Sequence, residues 1–155
     1  MSATTRSAGP ARAAASTQVD ARGARFAAAL TTVVLAAALV LEPSAATVVL
    51  LAVQTVLFGI GAVAGVQHTP YAWVFRTFVR PRLHGVTEFE DATPPRFAQA
   101  VGLAFAVVAL VAFVAGADLV GAIATGCALA AAFLNAAFGL CLGCEMYLLS
   151  RRALS

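Results

Sequence analysis

Four long apolar segments, Phe26 to Leu41, Ala45 to Val66, Phe97 to Ala115 and Leu119 to about Leu149, decide what this chain can fold into. A span needs about 20 residues to cross roughly 30 Å of hydrocarbon, so the second and third fit, the first is somewhat short and the fourth is too long. Hydrophobic residues make up 61% of the chain and charged residues 11%, and the mean hydropathy is +0.91, outside the balance of a soluble globular domain. The expected fold is an all-α membrane protein with transmembrane helices over about 24–41, 45–66, 97–115 and 119–149. The excess of the fourth segment must tilt or emerge. Counted from Leu119, the hydrocarbon is used up close to Cys141.

All ten basic residues are arginine. Arg6, Arg12, Arg22 and Arg25 precede the first span, Arg76, Arg80, Arg82 and Arg96 lie between the second and third, and Arg151 and Arg152 follow the fourth. The short connections Glu42 to Ser44 and Gly116 to Asp118 carry only acidic charge. By the positive-inside rule the chain is N-in and C-in, with both termini cytoplasmic. The net charge of +3 follows from these arginines and suits anionic headgroups, so the expected partner is the lipid bilayer and not nucleic acid.

Residues 1–19, rich in Ala, Ser, Thr and Arg, read as a disordered cytoplasmic tail before a four-helix domain over 20–150. A repeat argues that the first apolar segment is retained and is not the core of a cleaved signal peptide. Asp20 to Ala29 and Asp91 to Ala100 share the pattern D-A-x-x-x-R-F-A-x-A, 71 residues apart, and each copy opens a span followed by a tight connection and a second span. Two tandem helical hairpins of one orientation are predicted, related by an axis along the membrane normal. Phe58-Gly59-Ile60-Gly61 loosely echoes Phe138-Gly139-Leu140-Cys141. The cytoplasmic loop 67–95 sets Tyr71, Trp73, Phe75 and Phe78 among arginines and predicts a short amphipathic interfacial helix, followed by a charged, irregular stretch. Pro94 and Pro95 fit the first turn of the third span.

The one constellation suggesting chemistry is Cys141-Leu142-Gly143-Cys144-Glu145. On a continuous helix Phe138, Cys141, Cys144 and Glu145 share a face. A cytoplasmic position keeps thiols reduced, which disfavours a permanent structural disulfide. Thiol redox or sulfur relay, metal binding, and simple packing of small residues all remain open for the pair. One CxxC without a second pair or an HxxxH spacing is thin support for metal, even with His68, His84 or Glu145 as further ligands, and neither a metal site nor a cofactor is expected. Arg76, Arg80, Arg82 and Arg96 are candidates for holding an anion, such as a phospholipid headgroup or sulfur oxyanion, against the plainer roles of topology signal and ion pairs with Glu88, Glu90 and Asp91. Cys127 is expected to behave as a small apolar side chain, Asn135 to make an interhelical hydrogen bond, and Gly61 with Gly65 to supply a GxxxG close approach, within the monomer or at a dimer face.

Arg80 to Leu83 (RPRL), Glu88 to Asp91, Pro94 to Gly102 (PPRFAQAVG) and Phe133 to Leu149 (FLNAAFGLCLGCEMYLL) resemble a family of small bacterial integral membrane proteins, the domain of unknown function 4395. The resemblance covers about residues 20 to 150. The family pattern falls on Arg80, Pro81, Arg82, Pro94, Pro95, Arg96, Phe97, Gln99, Asn135, Cys141, Gly143, Cys144 and Glu145. It implies the bacterial inner membrane and, through association with thioredoxin-like and sulfurtransferase-like proteins, a link to thiol or sulfur metabolism. The leading expectation is thiol-redox or sulfur-relay chemistry in which Cys141 or Cys144 attacks and nearby Arg80, Arg82 or Arg96 favours the anion. A noncatalytic membrane scaffold or assembly factor, and an oligomeric small-solute or sulfur-compound transporter, are the readings of other classes.

Overall fold

The computed structural model describes residues 18–155, so all but the last two residues of the tail read over 1–19 lie outside the described residues. Gln18 and Val19, at the end of that tail, belong to strand β1 (Gln18–Asp20). Helix α1 (Ala21–Val40) and α2 (Ala45–Val63) follow, then a short α3 (Pro70–Val74) that runs on as a π turn over Phe75–Val79 and a 3-10 turn over Arg80–Arg82. Strand β2 (Phe89–Asp91), α4 (Thr93–Val114), α5 (Asp118–Phe138) and α6 (Leu142–Leu154) complete the chain. Helices α1, α2, α4 and α5 are each long and apolar enough to cross a membrane, which makes this a multi-pass membrane protein.

Small residues draw the helices together. Leu35 and Ala38 of α1, Leu51 of α2, Ala109 of α4 and Ala124 and Ala128 of α5 form the buried core, where the scarcity of large side chains permits close backbone approach. Branched residues such as Val53, Val56, Val111 and Ile123 face outward, an apolar surface that lipid covers. The closest packing pairs α1 with α5 and α2 with α4, with α4 on α5 next, and α1 and α2 are the loosest neighbours. Within the α1–α2 turn, Ser44 caps α2 by accepting the Thr47 amide at 3.2 Å, and the buried Thr47 hydroxyl donates to the Ala38 carbonyl at 3.0 Å.

The two copies of the sequence repeat meet at one end of the bundle. Strand β1 pairs antiparallel with β2, and Val19 stands opposite Glu90, the residue 71 positions later. Asp20 Oδ1 accepts the Arg22 amide at 3.0 Å, and Asp91 Oδ1 accepts the Thr93 amide at 2.9 Å. Each carboxylate thereby satisfies a donor that a helix start leaves open. The following arginines cross over. Arg25 donates to the Ala136 and Ala137 carbonyls at the end of α5, both at 3.4 Å, and Arg96 donates to the Ala62 and Val63 carbonyls at the end of α2, at 3.2 and 2.8 Å. Each guanidinium meets the negative end of a helix from the other half of the chain.

The fourth apolar run is not one helix to Leu149. It breaks at Gly139, whose φ of +68° costs nothing without a Cβ and lets Leu140 donate to the Leu134 carbonyl at 3.2 Å. The chain then restarts as α6, so Phe138, Cys141, Cys144 and Glu145 do not share the face of a single helix. Other sequence expectations shift similarly. Gly65, at φ +104°, lies beyond α2 and is the counterpart of Gly139, so Gly59 is not its equivalent and Gly61 and Gly65 do not form a GxxxG face. Gly61 alone makes a close approach, where a Cβ would stand 2.6 Å from Gln99 Oε1 of α4 inside the monomer. Pro94 and Pro95 do occupy the first turn of α4.

Candidate functional site

The helix α6 begins at the thiol pair. Cys141, with extended backbone at φ −85° and ψ 98°, is its N-cap, and its sulfur accepts the Cys144 amide at 3.4 Å. Cys141 and Cys144 are disulfide-bonded, with Cα atoms 5.2 Å apart. Gly143 allows this turn to lie on α4: a Cβ there would fall 2.5 Å from the Ala98 Cα, against backbone that has no room to yield. Tyr147, one turn further, packs on Phe97 with ring centroids 5.7 Å apart. Glu145 is exposed in the first turn of α6, a position where a carboxylate suits the helix dipole.

The same construction closes the first half of the chain. Thr69 is the N-cap of α3 and accepts the Ala72 amide at 3.3 Å, and Phe75 packs on Phe26 with centroids again 5.7 Å apart. Thr69 and Cys141 are 72 positions apart, as are Ala72 and Cys144, and Phe75 and Tyr147. The thiols therefore occupy an N-cap and its partner position that threonine and alanine fill elsewhere in the molecule.

Both cysteines line a cavity of about 270 Å3 enclosed by α1, α2, α4, α5 and the α3 segment. Its inner end is a hydrogen-bonded chain: the Gln54 amide donates to Thr31 Oγ1 at 3.5 Å, and the Tyr71 hydroxyl donates to Gln54 Oε1 at 3.1 Å. Gln54 is 1% exposed and Thr31 5%. Thr31 lies ten residues into α1, about 15 Å along the axis. Burial raises the Tyr71 hydroxyl above its ordinary range, so it stays a neutral donor. Asn135 and Gln99 also line the cavity, as do Asp20, Arg25, Arg76 and Arg80. Among the described residues Asn135 makes no side-chain hydrogen bond, in contrast to the interhelical bond expected of it. It lies near the end of α5 and lines the cavity.

The arginine set divides. Arg76 and Arg80 reach the cavity, where Arg76 donates to the Gln67 carbonyl at 2.9 Å and Arg80 Nε stands 3.9 Å from Asp20 Oδ2. Arg82 folds back on the Phe78 carbonyl, and Arg96 caps α2, so neither joins them. The ion pairs of this loop are made to Asp20, which also meets Arg22 at 3.5 Å, and not to Glu88, Glu90 or Asp91. Arg25, absent from the expected set, lines the same cavity as the thiols, because capping α5 holds it next to Gly139, two residues before Cys141. His68 bonds the Ala64 carbonyl through Nδ1 at 2.8 Å, His84 is exposed in the loop, and Cys127 is exposed on the outer side of α5. Gln54 and Thr31 were legible only as polar residues inside apolar segments.

Four apolar helices and this end of the bundle define a small multi-pass membrane protein with a thiol pair at a helix start. The chain belongs to the family described as Domain of unknown function (DUF4395), which matches residues 19–152. Neither the curated proteins nor the solved structures contain a match to the chain.

Proposed function

We propose that this protein is a bacterial inner-membrane thiol–disulfide exchange protein, working through Cys141 and Cys144 at the cytoplasmic end of two tandem helical hairpins. The orientation rests on the arginines gathered at that end, with Glu42 and Asp118 at the other. The observation that carries the reading is the N-cap position of Cys141 on the wall of a cavity. A thiolate there accepts the Cys144 amide and faces the positive end of α6, in a cavity that Arg25 also lines.

Exchange with a soluble thioredoxin-like dithiol follows from this placement. A partner thiolate attacks one sulfur of the Cys141–Cys144 bond, and the other leaves as a thiolate. The N-cap favours the Cys141 thiolate as the group that attacks a partner disulfide, giving a mixed disulfide on Cys141 that the Cys144 thiolate resolves. By reversibility the partner thiolate in the direction above attacks the Cys141 sulfur and Cys144 leaves. The second partner thiolate then resolves the mixed disulfide. A sulfur relay with a sulfurtransferase-like partner would use the same Cys141 thiolate to hold sulfane sulfur.

Membrane vesicles of known orientation, reduced or oxidised and then labelled with a charged maleimide, test the proposal. Labelling of Cys141 and Cys144 only after reduction, and only from the cytoplasmic side, is the expected result. Thiols that stay unreactive across redox conditions would exclude exchange and leave a scaffold.

A further inference from the structure

The cavity beside the thiols contains groups that exchange with a soluble partner does not use. Its inner end is the buried Thr31–Gln54–Tyr71 chain, and Asn135 lines the cavity together with Cys141 and Cys144. Gln67 Oε1, on a lining residue, is a buried acceptor with no hydrogen-bond partner among the described residues, and Asp20 Oδ2 has none beyond its 3.9 Å ion pair with Arg80. Between these groups the walls are apolar, with Ala27, Ala28, Leu57 and Ala132 among them. The cavity reaches Thr31 and Gln54, about ten residues into the membrane-spanning helices α1 and α2.

A ligand that fits is apolar in its middle, hydrogen-bonding at both ends, soluble in the bilayer, and able both to accept hydrogen bonds and to donate them. A quinone accepts at two opposite oxygens and its quinol donates from the same two. The geometry points to a membrane quinone as the occupant of this cavity and the two-electron acceptor of the reduced thiol pair. This rests on the exchange reading, which supplies the dithiol. In the step, both S–H bonds of Cys141 and Cys144 break and the S–S bond forms. Two electrons enter the quinone ring and two protons end on its oxygens, giving one disulfide and one quinol.

The test uses the full chain in lipid nanodiscs, reduced, freed of reductant and mixed with a decyl ubiquinone. Its fully substituted ring forms no simple addition product with thiols. Quinol absorbance and free thiols are followed together, and equilibrium dialysis measures binding. One quinol should form for each two thiols lost, about tenfold or more faster than with C141T/C144A, which should still bind the quinone. Ala28→Phe, which fills the cavity wall, should slow quinol formation about tenfold while reaction with a small soluble disulfide is unchanged. If Ala28→Phe does not fold, the stoichiometry and the binding to C141T/C144A decide the matter. Exchange with the soluble disulfide but no quinol and no saturable binding overturns the quinone site and leaves the exchange reading standing. Thiols inert to both reagents overturn both.

Discussion

The two halves of the bundle start their last helix alike, but only the second does so with thiols. After α2 the chain caps α3 with the Thr69 oxygen, and after α5 it caps α6 with the Cys141 sulfur, each accepting the amide three residues on. In both, an aromatic residue six positions after the cap packs on the phenylalanine that follows the crossing arginine. Threonine and alanine suffice for this construction in the first half. The thiols of the second half are therefore not needed to start a helix or to seat it, and their presence there calls for chemistry.

The sharpest way to break this comparison is to make the second end like the first. C141T/C144A should keep the fold, with the oxygen of Thr at 141 replacing the sulfur as cap and a melting temperature within a few degrees of the wild type, about 1 kcal/mol. Disulfide exchange should fall by about 100-fold or more, to the level of the lipid-facing Cys127. Thermal unfolding and thiol exchange measured on one preparation check both halves of the statement. Gly143→Val comes next. Its Cβ would meet the Ala98 backbone at 2.5 Å, so α6 must shift, at a cost of about 1–3 kcal/mol in thermal stability.

The equivalent arginines sharpen the comparison further. Arg25→Ala and Arg96→Ala each remove a partner from the end of a helix, for about 0.3–1 kcal/mol of stability. Only Arg25→Ala should also slow the reaction of Cys141 with a small disulfide, because of the two only Arg25 lines the cavity that the thiols line. Parallel melting and labelling rates separate the two effects.

The smallest effect concerns pH. Hydrogen bonds from the Thr93 backbone and side chain, with a smaller contribution from Arg151, hold Asp91 below the usual carboxylate range. A carboxyl group lowered on folding adds stability above its unfolded pKa and loses it as pH falls through its folded value. Stability should thus decline slightly in acid, and Asp91→Asn should flatten that part of the curve. Denaturant midpoints at a series of acidic pH values check it.

Much of this was legible in the sequence because it rests on local pattern. Four runs of apolar residues located the helices to within a few residues, except that the fourth run continued past the end of α5 at Phe138, and the aromatic and arginine cluster after Pro70 located α3. The shared D-A-x-x-x-R-F-A-x-A pattern anticipated the matching helix starts. What lay hidden was nonlocal. Nothing in Gln18–Asp20 announces pairing with a strand 71 residues on, and no spacing rule sends Arg25 to α5. Gly139 was hidden differently, as one small residue among many in a run whose hydropathy stays high, although only there does the backbone need a positive φ. Missing that break put the CxxC on a helix face when it forms a helix start, and the start is what gives the two sulfurs different surroundings.

Trapping the mixed disulfide tests the central claim most directly. Membranes holding C144A or C141A are treated with a small disulfide, quenched in acid, and the adducts on Cys141, Cys144 and Cys127 are quantified by mass spectrometry. The account predicts rapid adduct formation on Cys141 in C144A, about tenfold or more faster than on Cys144 in C141A or on Cys127 in either. Equal, slow modification of all three would contradict it and reduce the CxxC to a cap that happens to contain sulfur.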